Sequence, residues 1–144
     1  PFFVVVDQVE RVTTDRRRLD VYYHSLQPEV RIDSPQRIVV GTGPVLTLAS
    51  PADNGELWQG AEWSISLATN LTTRQLPFVA FRRESSDAER FCSVLAPDPN
   101  RPRDLEVDAR PGDGGELVVE VRENGLAHVL AVGRSSVKLT RTRP

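Results

Sequence analysis

The sequence is poor in the residues from which most catalytic and metal sites are built. Its 144 residues include one cysteine, Cys92, and two histidines. A lone cysteine excludes an internal disulfide, so packing and hydrogen bonds must hold the fold together. There is also no phosphate-binding glycine loop, no serine nucleophile elbow and no cysteine pair for zinc. We therefore expect no complete catalytic site, and Cys92, flanked by apolar residues, is interpreted as a buried structural thiol.

The chain also lacks a basic charge balance and any long apolar run. Its formal net charge is −2 with a pI near 5.7, which excludes the electrostatic footprint of a nucleic-acid or anionic-membrane partner. No segment approaches the roughly 20 apolar residues of a transmembrane helix, and no targeting signal is visible. Lys138 is the only lysine. The arginines suit recognition of carboxylate or sulfate, although genome composition produces the same bias.

Short runs of valine, isoleucine, threonine and aromatic residues recur along the whole chain, separated by Gly, Pro, Asp and Asn. This spacing is typical of a β-sandwich or barrel. In Glu116–Arg122, Leu117, Val119 and Val121 alternate with mostly charged residues, so one face meets a core and the other meets water. About a dozen strand candidates exceed what one sheet holds comfortably. We predict a single all-β domain over 1–144, an antiparallel two-sheet β-sandwich of about a dozen strands.

Turn and breaker residues divide the predicted strands. Asn54-Gly55 and Asn124-Gly125 predict tight turns, the second of them a hairpin. Ala96–Arg103 contains three prolines, which lack a backbone donor, so we expect a loop outside any sheet. Arg83–Arg90 is the one place where a short helical turn is expected, with one of its adjacent serines as the N-cap.

The tryptophans bear on both the core and sugar binding. Trp58 and Trp63 lie five residues apart on one predicted strand, so they should point to opposite faces. A platform of two tryptophans is therefore not expected, and at least one of them belongs to the core. The residues predicted to form the core are Val5, Val21, Leu46, Ile65, Val79, Phe91, Val94 and Val119.

Two polar residues near the start of the chain are unexpected for their strands. Asp7 closes the apolar run Phe2–Val6, and His24 lies within the next predicted strand, Leu19–Leu26. We expect these strands to pair, which would bring imidazole and carboxylate together as a hydrogen-bonded pair or as two metal ligands. Two ligands are one short of a zinc site. The alternative, in which Asp7 caps a turn and His24 is a satisfied core residue, stays open.

The same segment carries a family resemblance. An apolar strand ending in Asp7, a polar link and an aromatic strand running into His24-Ser25-Leu26-Gln27-Pro28 resembles the C-terminal β-domain of heparinase II/III-like polysaccharide lyases. Arg90–Pro97 is similar to a Phe-x-Thr/Ser-Val-Leu-x-Pro strand that comes later in those domains. The resemblance spans roughly Phe2 to Pro97, and its two parts have the expected order and distance.

The resemblance implies that this chain is an accessory domain. Those lyases join an α/α-toroid catalytic domain to an antiparallel β-sandwich, and they cleave uronic-acid polysaccharides by β-elimination with a tyrosine and a histidine. The toroid and its catalytic residues are absent here, so we expect a C-terminal fragment of a larger chain that is not catalytic alone. Its expected partners are the toroid of the same parent chain and an acidic polysaccharide, in the periplasm or outside the cell.

The resemblance also implies a metal. Several members hold a zinc ion in the sandwich with a histidine, an aspartate and a second histidine. Asp7 and His24 fall where the aspartate and the later histidine would be, and the earlier histidine would precede Pro1. We therefore expect an incomplete metal site here, and zinc in the full-length parent but no tight binding to this chain. An independent carbohydrate-binding module, or a purely structural or protein-binding sandwich, remain the alternatives.

Overall fold

A computed structural model describes residues 1–10, 14–65, 73–134 and 136–142, with the backbone alone at 63–65, 73–74 and 140–142. These residues form twelve β-strands, and no helix among them could cross a membrane. The strands are β1 (Phe3–Val9), β2 (Arg17–His24), β3 (Val30–Ser34), β4 (Arg37–Val40), β5 (Val45–Ala49), β6 (Glu56–Ile65), β7 (Thr73–Ser85), β8 (Glu89–Asp98), β9 (Glu106–Pro111), β10 (Leu117–Glu123), β11 (Leu126–Val132) and β12 (Val137–Thr142).

All strand pairs are antiparallel, and the strands form three hydrogen-bonded sheets. A five-stranded sheet has the order β1-β8-β5-β4-β3, a four-stranded sheet has the order β12-β11-β10-β9, and a three-stranded sheet has the order β2-β7-β6. The predicted all-β antiparallel sandwich of about a dozen strands is confirmed. The strands are divided among three sheets, where the sequence suggested two.

The five-stranded sheet is the middle layer, because each of its faces borders its own core cluster. On one face Cys92 and Val94 of β8 pack with Val119 of β10, in the cluster shared with the four-stranded sheet. On the other face Phe91 of β8 packs with Phe81 of β7, in the cluster shared with the three-stranded sheet. A strand that is covered on both faces has a near-continuous run of apolar residues. In β10 apolar and more polar residues alternate, because only one of its faces is covered.

Half of the predicted core residues are buried, namely Val79, Phe91, Val94 and Val119. Val5, Val21 and Leu46 are half-buried, and the side chain of Ile65 lies outside the described residues. On β1, Val4 and Val6 pack against the cluster shared with the four-stranded sheet, whereas Val5 is only half-buried. An apolar run with no alternation does not reveal which of its faces meets the core.

The predicted turns and the predicted proline-rich loop differ in how well they match the structure. The predicted hairpin at Asn124-Gly125 is confirmed, with φ angles of 50° and 73° that suit these residues. The expected helical turn in Arg83–Arg90 is wrong, because the Ser85 hydroxyl accepts the Asp87 N–H (3.0 Å) in a tight turn between β7 and β8. The loop predicted over Ala96–Arg103 begins later in the structure than expected. β8 continues to Asp98, and proline is tolerated there because β8 pairs only with β5 beyond Leu95.

Candidate functional site

One face of the three-stranded sheet has no other described sheet over it. On β2 the alternate residues Leu19, Val21 and Tyr23 pack towards the middle sheet. Because side chains alternate along a strand, Tyr22 and His24 point away from it. We call this side of the sheet the outer face. Both Tyr22 and His24 are exposed on this face.

Two exposed aromatic rings lie in one row across the outer face. Tyr22 of β2 is opposite Ala80 of β7, and Ala80 is opposite Trp58 of β6. Tyr22 is 39% exposed and Trp58 is 43% exposed, whereas Ala80 between them is fully buried. The two ring-bearing strands are two strand spacings apart, about 10 Å. The small side chain of Ala80 is covered by its neighbours, and the two exposed rings lie on either side of it.

Asp20 connects the two rings. Its carboxylate accepts Arg82 Nε at 2.7 Å and Arg82 Nη2 at 3.1 Å, and the Tyr22 hydroxyl donates to Oδ2 at 3.2 Å. The Arg82 guanidinium in turn lies 3.6 Å from the centre of the Trp58 ring, a cation–π contact. The Arg82 hydrogen bonds lower the pKa of Asp20, outweighing its partial desolvation, so Asp20 stays ionised at neutral pH. One carboxylate thus helps to position both rings.

His24 extends the aromatic surface along β2. Its ring is stacked on Tyr22, with 6.0 Å between ring centres and 16° between planes, and its Nε2 lies 3.3 Å from Glu62 Oε2 on β6. Next to His24, the Phe78 ring of β7 covers Gly60 of β6, where a β-carbon would come within 2.6 Å of that ring. His24 is therefore a partly exposed surface residue, and the interpretation as a satisfied core histidine is wrong.

Asp7 lies elsewhere, and the expected pairing of the first two strands is wrong. β1 pairs with β8, where Asp7 is opposite Phe91, and β2 pairs with β7. Alternation places Asp7 on the same side of β1 as Val9, which packs towards the three-stranded sheet. Asp7 is also close enough to Tyr23 for its charge to reinforce burial in raising the pKa of that hydroxyl. The three-stranded sheet therefore separates Asp7 from His24.

This arrangement does not fit a zinc ion shared by Asp7 and His24, because zinc requires its ligand atoms about 2 Å from the metal. No group of three or more His, Cys, Asp and Glu side chains in the described ranges is placed to hold a metal. No hydrogen bond or ion pair between described residues joins Asp7 to His24 either. Zinc in a full-length parent stays a prediction, without support from this pair.

Cys92 and Asn54 lie beside a cleft of about 330 Å³ between the sheets. The expected buried thiol is confirmed, since Cys92 is 2% exposed. Burial, reinforced by the Asp53 charge, raises its pKa to about 12, so the reactive thiolate is scarce at neutral pH. Asn54 is also buried, and its Oδ1 accepts the backbone N–H of Cys92 at 2.7 Å. The sequence pattern predicted only a turn at Asn54.

Comparisons of the chain with family models, with curated proteins and with solved structures give no match. Functional inference therefore depends on the outer face and on the residues that carry the resemblance. The row of Tyr22, Ala80 and Trp58 was not predicted from the sequence, because these residues come together only through strand pairing between distant segments. Alternation along β2 and β6 was the one signal that pointed to exposed rings.

Proposed function

We propose that this chain is the accessory β-sandwich domain of a heparinase II/III-like polysaccharide lyase, which acts on uronic-acid polysaccharides by β-elimination. In this role the domain braces the α/α-toroid catalytic domain, and its outer face contacts the polysaccharide. The row formed by Tyr22, Ala80 and Trp58 is the observation that carries the proposal. Two exposed rings on either side of a small residue suit the apolar C–H faces of successive sugar rings.

The rings are held in place before any ligand binds. Asp20 accepts hydrogen bonds from Tyr22 and Arg82, and Arg82 is stacked on Trp58. A surface that is already ordered loses less conformational entropy on binding. The nearby pair of His24 and Glu62 offers hydrogen-bonding groups to sugar hydroxyls beside the two rings.

An acidic sugar is favoured by the geometry of Arg82. Its Nε and Nη2 are bound to Asp20, and Nη1 makes no hydrogen bond to any described residue. A uronate carboxylate beside the stacked Arg82 and Trp58 side chains would accept a hydrogen bond from Nη1, a charge-assisted contact stronger than one between neutral groups. Tyr22 and His24 also belong to the strand on which the family resemblance depends. Catalysis is assigned to the toroid, and zinc, if present, to the full-length parent.

Trp58→Ala and Tyr22→Ala should each weaken binding of uronic-acid oligosaccharides at least about tenfold, the effect of losing one important contact residue. Isothermal titration calorimetry with oligosaccharides of hyaluronan, heparan and alginate measures this. Phe3→Ala removes an exposed apolar side chain on β1, away from the outer face, and it should leave affinity unchanged. Equal affinity of the wild type, Trp58→Ala and Tyr22→Ala would remove the outer face from the proposal.

The same samples test the accessory role. Ultraviolet absorbance of the unsaturated product of β-elimination should stay constant when the pure chain is mixed with each polysaccharide. Steady product formation that Tyr23→Phe or His24→Ala abolishes would contradict the assignment of catalysis to a separate domain.

An independent carbohydrate-binding module is the second candidate, and the same exposed pair of Tyr22 and Trp58 favours it. Such a module needs no uronate and no catalytic partner. Equal affinity for neutral and uronic-acid oligosaccharides, unchanged in Arg82→Gln, would favour this candidate. A complete lack of oligosaccharide binding would leave a structural or protein-binding sandwich.

A further inference from the structure

The five-stranded sheet has an open edge at β1. β1 pairs with β8 on one side, and no strand in the described part of the chain pairs with its other side. Val4 and Val6 on β1 pack against the core shared with the four-stranded sheet. The backbone N–H and C=O groups along the open side therefore border an apolar layer. Such an edge is a template for pairing with another strand.

Strand β11 lies over β1, because the Phe2 ring contacts His128 at 5.4 Å between ring centres and Val132 borders the same core cluster as Val4 and Val6. Since β12 follows β11 at the end of the four-stranded sheet, that sheet extends past β1 by one strand. Val119 of β10, Leu130 of β11 and Leu139 of β12 lie in one row, so their side chains point to the same side of the sheet, towards the middle layer. Val119 is fully buried, but Leu139 is 62% exposed and Val137, on the same side, is 65% exposed. Two apolar side chains on the inner side of β12, Val137 and Leu139, are thus uncovered where the middle sheet stops.

These two features meet at one place, the β1–β12 step, defined by the open edge of β1 together with Val137 and Leu139. We infer that the β1–β12 step receives one further extended polypeptide strand. This strand hydrogen-bonds to β1 and places alternate apolar side chains on Val137 and Leu139. It continues both the five-stranded sheet and the core that Val4 and Val6 already border. An apolar small molecule would leave the backbone groups of β1 without partners.

A second copy that pairs through its own β1 does not fit the β1–β12 step. If two copies paired through β1, the four-stranded sheet of the second copy would lie over the second copy's β1. It would then occupy the same space as β12 of the first copy. The occupant is therefore a strand that carries no second layer on that side. β1 spans seven residues, and this sets the length of the segment. The ion pair of Glu10 and Arg134 (3.0 Å) lies at one end of the β1–β12 step.

The inference goes beyond the proposed function, because the β1–β12 step is separate from the outer face. A synthetic seven-residue peptide of alternating valine and threonine, with added terminal lysines, serves as the probe. Hydrogen exchange followed by NMR should show that the β1 amides directed away from β8 gain at least about tenfold protection with the peptide. The same peptide with N-methylated backbone nitrogens should give none, because it cannot complete the ladder.

Val137→Asp and Leu139→Asp should abolish the gain in protection. Leu26→Asp, a change at a similarly exposed leucine remote from the step, should retain it. No gain in the wild type at millimolar peptide, or an equal gain with the methylated peptide, would overturn the inference. An undiminished gain in correctly folded Val137→Asp and Leu139→Asp would do the same. If either variant fails to fold, the comparison of the two peptides on the wild type decides alone.

Discussion

Phe91→Ala should lower the free energy of unfolding by about 3–5 kcal/mol, the usual cost of removing a buried phenylalanine ring. Phe91 is fully buried in the cluster that joins the middle sheet to the three-stranded sheet. Removing the ring leaves a cavity between two layers whose backbones are fixed by hydrogen-bonded neighbours, so the site cannot collapse fully. Urea denaturation followed by circular dichroism measures the change.

Phe3→Ala is the matched control for this substitution. The Phe3 side chain is 64% exposed, so its removal should change the free energy of unfolding by no more than about 0.5 kcal/mol. A loss below about 1 kcal/mol for Phe91→Ala would show that β8 is not covered on both faces. The three-layer arrangement would then be wrong.

Asn54→Ala should lower the free energy of unfolding by about 1–3 kcal/mol, because it leaves a buried backbone N–H without an acceptor. The Asn54 side chain is 1% exposed, and its Oδ1 accepts the Cys92 N–H inside the middle sheet. The Cys92 amide should also exchange with solvent faster in the variant. Urea denaturation and hydrogen exchange by NMR provide the two measurements.

Asn100→Ala controls for the loss of an asparagine as such, because Asn100 is exposed and its described hydrogen bond uses only its backbone nitrogen. Its free energy of unfolding should stay within about 0.5 kcal/mol of the wild type. If Asn54→Ala and Asn100→Ala cost the same, Asn54 would be a turn residue of the kind that the sequence pattern suggests.

Local patterns predicted the strands well, since alternation and turn residues act within one segment. Leu117, Val119 and Val121 alternate with more polar neighbours, and β10 is buried on that side. The number of sheets could not be predicted in the same way. β7 and β8 follow each other in the chain, yet β7 pairs with β2 and β8 pairs with β1. Nothing local in the sequence encodes the division of these strands between two layers.

The candidate site was harder to predict than the fold, because it depends on pairing between distant strands. Asp7 and His24 were linked by closeness in sequence, but they occupy different layers. The residues that do meet are Tyr22, Ala80 and Trp58, and their row is set by the register of β7 with both β2 and β6. A shift of one residue in either pairing would turn the aromatic side chains to the other face.

The central claim is that a uronic-acid oligosaccharide contacts the outer face across Tyr22, Ala80 and Trp58. Mapping of NMR chemical shifts during a titration with such an oligosaccharide tests it most directly, with the Trp58 indole N–H signal assigned from Trp58→Phe. We expect the largest shifts at the Trp58 indole N–H and at the amides of Tyr22 and Ala80, with smaller shifts around Arg82. Saturable shifts centred on the cleft beside Asn54, with no shift of the Trp58 indole, would contradict it.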